Sequence, residues 1–330
     1  YNVYGQIGNG ISGGNYKYNT PQKIRIDYSS NQLPPALQIS TGDSHSCGIF
    51  EDSNLYCWGY NNYGQLGLGD VTLRNRPVVV QTPGDDLFTD ISLGYSHSCG
   101  IIKNGSLYCW GYNDYGQLGD STNDNSNLPV YSQIPSGSKA VAISAGYYHN
   151  CAIMDNSSVY CWGRNSHSQL GNGNQTNMNI PVHVNLPIGS NPVQISSSES
   201  HTCTVMDNGS MYCWGYNDYG QVEGPVTENL GSYVYNPTYV STKYNHRVVS
   251  VGAGGVGYTC IITEHAAISC WGRSGYGNLV ELNENKVSKL RYVISEEYEY
   301  SIQPMGWNIV DYSINNLPQG MTMNESKLSI

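Results

Sequence analysis

The sequence predicts an all-β, turn-rich protein assembled from one repeated unit. Three observations predict it: a composition suited to short strands, a repeat of 52 residues, and a cysteine pair with nine intervening residues in every complete copy.

The 330 residues include 29 Tyr and 38 Gly but only 2 Phe, and charged residues make up 12%. Tyrosine packs like phenylalanine yet keeps a hydroxyl for hydrogen bonding at a wet boundary, which suits short strands with much exposed edge. Low charge with abundant Gly and Asn reads as turns and sheet rather than helix. The formal net charge is −10. A phosphate backbone would be repelled, and no Lys/Arg cluster overrides that average, so no nucleic-acid partner is expected. No apolar run approaches the roughly 18 residues of a membrane-spanning helix.

Self-similarity dominates the chain. Segments such as GYSHSCGIIKNGSLYCWGYNDYGQLG recur from Gly42, Gly94, Gly146 and Ser198, and their first cysteines (Cys47, Cys99, Cys151, Cys203) step by 52. A fifth copy, GVGYTCIITEHAAISCWGRSGYGNL, places Cys260 after a step of 57 and is the most divergent. The opening YNVYGQIGNG matches YNNYGQLGLG at Tyr60–Gly69, so it reads as the back half of a sixth copy. At least five and a half units are expected, in a piece of a longer polypeptide.

Each cysteine pair frames a hairpin. Between Cys99 and Cys109, three residues on either side of Lys103-Asn104-Gly105 set the cysteines opposite each other, and that turn suits a type I conformation closed by a left-handed glycine. Facing Cβ atoms approach to about 4.5–5.5 Å, close to what a disulfide requires. The spacing predicts the bridges Cys47–Cys57, Cys99–Cys109, Cys151–Cys161, Cys203–Cys213 and Cys260–Cys270. Strand alternation then makes Ile49/Leu55, Ile101/Leu107, Ile153/Val159, Val205/Met211 and Ile262/Ile268 partners on the cysteine face. All ten are apolar, so a packing face is expected. Five bridges imply an oxidising compartment, and the C-x-x-C spacing of zinc sites is absent. Three N-x-S/T sequons, at Asn104, Asn156 and Asn208, fall in the middle of the hairpin turn, and Asn174 and Asn324 add two more. They are candidate glycosylation sites, although asparagine also favours turns for its own sake.

The recurring G-x-x-H (Gly42/His45, Gly94/His97, Gly146/His149) and the W-G-x-N-x-x-G-Q-L-G run after each second cysteine resemble the repeats of the regulator of chromosome condensation family, over roughly residues 1–280. That resemblance implies a β-propeller, here of six to seven four-stranded blades over residues 1–287, with a short β extension at residues 288–330. The cysteine pairs depart from the nuclear members of the family. The tail Tyr312–Ile330 is similar, through Leu317-Pro318 and Gly320-Met321, to immunoglobulin-like modules of surface proteins; a closing strand of the propeller is the other reading of the same residues.

No constellation reads as catalytic. His45, His97, His149 and His201 each precede a cysteine by two residues and are expected to tether their own blades, bonding backbone carbonyls, because equivalent ligands in neighbouring blades lie too far apart for one ion. Trp58, Trp110, Trp162, Trp214 and Trp271 are expected to pack between blades. Gly42-Asp43-Ser44-His45 varies between copies as a repeat consensus does, unlike a hydrolase site. Asp120–Asn125 lacks the glycine and terminal glutamate of a calcium loop, and no helix follows the Tyr-Gly-Gln-Leu-Gly glycines to cradle phosphate. No cofactor or metal is expected. The expected function is a non-enzymatic structural or adhesive module outside the cell, the repeating unit of a cell-surface assembly or filament. It would self-associate or bind a surface protein or glycan. The alternative is a secreted propeller that binds or inhibits a partner protein through one face. Nucleotide exchange on a nuclear GTPase, the namesake role of the resembled family, is opposed by the acidic charge and the bridges.

Overall fold

A computed structural model describes residues 2–14, 17–24, 33–223, 231–242, 245–255 and 257–273, with the backbone of 300–301, 322–324 and 327–329. Among these residues there is no α-helix, and so none long and apolar enough to cross a membrane. The strands follow the repeat. Sheet 1 holds β1 (Ala36–Thr41), β2 (His45–Phe50), β3 (Leu55–Gly59) and β4 (Arg74–Val79). Sheet 2 holds β5 (Phe88–Leu93), β6 (His97–Ile102), β7 (Leu107–Gly111) and β8 (Ser126–Tyr131). Sheet 3 comprises β9 (Ala140–Ala145), β10 (His149–Met154), β11 (Val159–Gly163) and β12 (Met178–Val184). Sheet 4 comprises β13 (Pro192–Ser197), β14 (His201–Met206), β15 (Met211–Tyr216) and β16 (Tyr233–Tyr239). Each is antiparallel with its strands in chain order.

The fifth sheet has three strands among the described residues, β17 (Val248–Gly254), β18 (Tyr258–Thr263) and β19 (Ile268–Gly272). A small antiparallel sheet of β20 (Tyr300–Ser301), β21 (Thr322–Asn324) and β22 (Lys327–Ser329) runs in the order β20-β22-β21. The expected total of six to seven blades, the boundary at 287/288, the immunoglobulin-like motif around Leu317-Pro318 and most of the tail lie outside the described residues.

Local chemistry explains the hairpins. The third turn position is left-handed in all five: Gly105 and Gly209 at φ 87° and 80°, and Ser53, Ser157 and Ala266 at φ 64°, 66° and 57°. Glycine takes that conformation without steric cost, and the three non-glycine residues carry a modest strain. The glycine after each tryptophan is the stricter requirement. Gly59, Gly111, Gly163, Gly215 and Gly272 sit at φ 102–110°, where a Cβ would meet the carbonyl oxygen at the start of the hairpin at 2.4–2.7 Å. The chain can turn out of the sheet there only without a side chain.

The register places Cys47 opposite Cys57, Cys99 opposite Cys109, Cys151 opposite Cys161, Cys203 opposite Cys213 and Cys260 opposite Cys270. All five pairs are joined as disulfides, with Cα atoms 4.0–4.1 Å apart. The first strands of successive sheets meet one another, β1 with β5, β5 with β9, β9 with β13 and β13 with β17, so they are the innermost strands and the sheets succeed each other as blades. The cysteine face of one sheet packs on the tryptophan face of the next. Ile49, Leu55 and the Cys47–Cys57 bridge lie against Phe88, Ile91, Ile102 and Trp110, and Ile101, Leu107 and the next bridge against Ile143, Met154 and Trp162.

Four of the five apolar partner pairs are buried in this way. Ile262 and Ile268, expected to be packed, are 41% and 48% exposed. At the other end Ile39 is 56% exposed, whereas its counterparts Ile91, Ile143, Ile195 and Val251 are at most 8% exposed. Each face needs the adjacent sheet to cover it, and sheets 1 and 5 are the two ends of the described row of five repeat sheets.

The bridges are accordingly unequal. Both sulfurs of the first four sit among fully buried residues, and Cys260 and Cys270 are partly exposed. Under native conditions a thiol reductant should open Cys260–Cys270 first, since exchange requires access to the sulfur. Timed alkylation and mass spectrometry should find Cys260 and Cys270 labelled while the other eight remain protected.

Candidate interaction face and the lattice beneath it

Each blade has two ends. One holds the hairpin turns, with Asn104, Asn156 and Asn208 exposed at their tips. At the other, the second strand begins and the third ends. A buried polar lattice runs under this second end. The main-chain carbonyl of Gln65, on the β3–β4 loop of sheet 1, accepts Trp110 Nε1–H (2.9 Å) and Ser98 Oγ–H (2.7 Å) from sheet 2. Gln117 does the same for Trp162 and Asn150, Gln169 for Trp214 and Thr202, and Gln221 for Trp271 and Thr259. Residues 2–14 provide the corresponding piece for sheet 1: Gln6 O accepts Trp58 Nε1–H at 2.9 Å and Ser46 Oγ–H at 3.0 Å. All five tryptophans are therefore packed between blades, as the glue that joins a loop to the next sheet.

The histidines act differently from the expectation. Instead of bonding carbonyls of their own blade, they reach across to the next one: His45 Nε2 to Ser98 Oγ (3.0 Å), His97 to Asn150 Oδ1, His149 to Thr202 Oγ1 and His201 to Thr259 Oγ1 (each 2.9 Å). The hydroxyl protons of Ser98, Thr202 and Thr259 are committed to the glutamine carbonyls, and Asn150 Oδ1 can only accept, so each imidazole donates from Nε2. Nδ1 of His201 meets Ser198 Oγ at 2.6 Å. Ser198 stands where the other copies have Gly42, Gly94 and Gly146, and Nδ1 of His45, His97 and His149 has no partner among the described residues. Burial holds all four rings neutral, with pKa values of about 3 for His45, His149 and His201 and about 4 for His97.

Above this lattice the tyrosines form a ladder that steps from blade to blade. The residue that follows each Trp-Gly meets a ring on the preceding loop: Tyr60 on Tyr4 at 4.6 Å, Tyr112 on Tyr63 at 5.0 Å and Tyr216 on His167 at 5.2 Å. In the other two copies that residue is an arginine, and its guanidinium takes the ring's place, Arg164 over Tyr115 at 5.4 Å and Arg273 over Tyr219 at 4.9 Å. The turns before the second strands add Tyr95, Tyr147 and Tyr148. Tyr95 stacks on Tyr147 at 4.9 Å, and Tyr148 touches Tyr95, Tyr112 and Tyr115. Sequence reading missed this set. Its signal was the aligned column after Trp-Gly, which reads Tyr, Tyr, Arg, Tyr, Arg.

The ladder suits stacking and hydrogen bonding rather than proton transfer. The Asp43 carboxylate pushes the Tyr95 hydroxyl up, burial does the same to Tyr147, and the hydrogen bond to Asp218 carries Tyr216 up to about 12. These hydroxyls stay protonated at neutral pH. Elsewhere, Ser44 bonds its neighbour Asp43, Asp120 accepts Thr122 N–H within its own loop, and Asn174 is exposed on the loop after β11, its carbonyl held by Asn165. Asn324 has only its backbone described.

A model of the RCC1-like domain matches residues 1–310. The chain belongs to the RCC1-like domain family. Within it, the chain is 33% identical over 184 residues to the Ultraviolet-B receptor UVR8 of Arabidopsis thaliana, covering 56% of this chain and 42% of that protein. It is 24% identical over 295 residues to the human E3 ubiquitin-protein ligase HERC2, covering 89% of this chain and 6% of that protein. The chain thus spans less than half the length of these relatives. Among solved structures it is similar to human WBSCR16 (TM-score 0.68, 19% identity, 82% of this chain and 70% of that one). It also resembles yeast RCC1 (Prp20), solved with Kap60 (TM-score 0.64, 20% identity, 72% and 56%). These structures share the β-propeller fold.

The buried histidines make stability depend on pH. Their folded pKa values lie below the ordinary 6.5, so the unfolded chain takes up protons that the folded chain refuses. Stability is therefore complete above about pH 6.5 and falls as the pH drops towards 4, by about 2 kcal/mol per histidine at pH 5. Thermal melts from pH 7.5 to 4.5 should show a steep decline in Tm, and His149→Gln should make that decline shallower while lowering Tm at pH 7.5.

Proposed function

We propose that this RCC1-like domain is a non-enzymatic binding module that works outside the cell and docks a partner protein on its tyrosine-lined end. The observation that carries the reading is the ladder from Tyr4 to Arg273. Tyrosine and arginine dominate the energetic centres of protein interfaces, because they bury much area for few rotors and keep a polar tip. The rings here are already held by neighbouring blades, and the Tyr112 and Tyr216 hydroxyls by Asp114 and Asp218 two residues on, which lowers the entropy lost on docking.

The extracellular part of the reading rests on the five bridges, which persist in oxidising compartments. The sequons support it by their placement: sugars on Asn104, Asn156 and Asn208 would project from the hairpin end and leave the tyrosine end bare. Glycosidase treatment of secreted material should reduce its mass, with site mapping to those three asparagines.

In the structural or adhesive form of this reading the partner is another copy in a filament. Electron microscopy of purified chain would show ordered fibres in that case and separate discs otherwise.

The docking surface can be tested without knowing the partner. Affinity capture from an extracellular fraction should retain the same proteins on the wild-type chain and on the hairpin-end variant N104Q/N156Q/N208Q. Tyr63→Ala with Tyr95→Ala should lose them, each truncation costing about 2 kcal/mol, or roughly 30-fold in affinity. Loss in the hairpin-end variant alone would overturn the reading.

A further inference from the structure

The hairpin end of the fifth blade differs from the others. At the second turn position, where the first four units carry Asp52, Asn104, Asn156 and Asn208, the fifth carries His265. Two residues before the first strand, where Asp86, Ser138 and Ser190 stand in blades two to four, it carries His246. Asn104 N–H donates to Asp86 Oδ2, so these two positions face each other across the turn. In the fifth blade two imidazoles meet there, edge to face, with ring centroids 4.6 Å apart.

A carboxylate completes the group. Glu264 Oε1 accepts the Arg247 N–H at 3.2 Å, as Asp155 accepts Lys139 N–H and Asp207 accepts Asn191 N–H at 3.1 Å in earlier blades. The hairpin geometry thus fixes this carboxylate, and a carboxylate has lone pairs enough for a second partner. The Arg247 guanidinium is turned away, onto the Asp207 carbonyl at 3.0 Å. The donor atoms of His246, Glu264 and His265 all lie within 4.8 Å of one another.

We propose that His246, Glu264 and His265 bind one borderline divalent cation, Zn2+ foremost. Two imidazoles and a carboxylate form a donor set that Zn2+ takes at about 2.0–2.2 Å with a fourth position open. That set disfavours Ca2+ and Mg2+, which seek oxygen ligands. Tetrahedral binding draws donors to about 3.3–3.5 Å from one another at those bond lengths. The required closure falls mainly on Glu264 and His265, whose side chains are exposed, while His246 is half-buried. The bound ion would tie the segment that enters β17 to the β18–β19 turn, and its open position would face solvent, available to a water or to a ligand from a partner.

Isothermal titration of zinc chloride into the untagged chain at pH 7.5 tests this. One ion should bind per chain with a dissociation constant in the micromolar range, and calcium chloride should give no comparable heat. His265→Ala and His246→Ala should each weaken zinc binding at least tenfold. His265 is exposed and His246 half-buried, and neither belongs to a strand, so circular dichroism should be unchanged. Glu264→Gln keeps an acceptor for the Arg247 N–H and should weaken binding several-fold without lowering Tm. Undiminished one-to-one binding in the H246A/H265A double variant would overturn the assignment, as would the absence of zinc binding by the wild-type chain.

Discussion

The architecture depends on one carbonyl per blade. The main-chain oxygen of Gln6, Gln65, Gln117, Gln169 or Gln221 accepts two hydrogen bonds from the following sheet, one from an indole and one from a strand side chain. Each bond contributes about 1 kcal/mol net, but leaving either donor unpaired in so dry a place would cost more. The indole can reach its acceptor only if the loop carrying the glutamine lies flat on the next blade. That arrangement leaves room for nothing larger than hydrogen at Gly8, Gly67, Gly119 and Gly171, two residues after the glutamine, where a Cβ would meet the indole Nε1 at 2.8 Å.

The histidines extend the same logic. Their hydroxyl and amide partners are the side chains that also bond the glutamine carbonyls, so indole, carbonyl, hydroxyl and imidazole form one chain of polar contacts per junction. Such a chain tolerates little substitution, because every member satisfies another. It also explains why the imidazoles are not a metal ring: each is turned to its neighbour, with its proton on the nitrogen that donates. The disulfides contribute on the apolar side of the sheet, where they take the place of a packing side chain between blades as well as a covalent tie.

Much of this was legible in the sequence. The equal spacing of Cys47, Cys99, Cys151 and Cys203 gives the period, the nine residues inside each pair give the hairpin, and the alternation of Ile101 with Leu107 gives the buried face. What was not legible is what depends on neighbours. Ile262 and Ile268 match the pattern of their counterparts and yet are exposed, because burial belongs to the next sheet and not to their own strand. The histidine contacts were misassigned for the same reason: a contact between blades leaves no trace within one repeat except a polar residue (Ser98, Asn150, Thr202, Thr259) in a matching column. The tyrosine ladder likewise emerges only when successive units are stacked.

The segment at residues 2–14 reveals how the units are divided. Sheet and clasp come from adjoining copies, so the boundary of a repeat in the chain falls in the middle of a joint in space. Duplicating or deleting a whole 52-residue copy therefore always leaves every joint furnished, wherever the cut falls. Loss of a blade's strands alone would leave an orphan loop with no tryptophan to hold. Such an offset lets an array grow or shrink by recombination while keeping its seams closed.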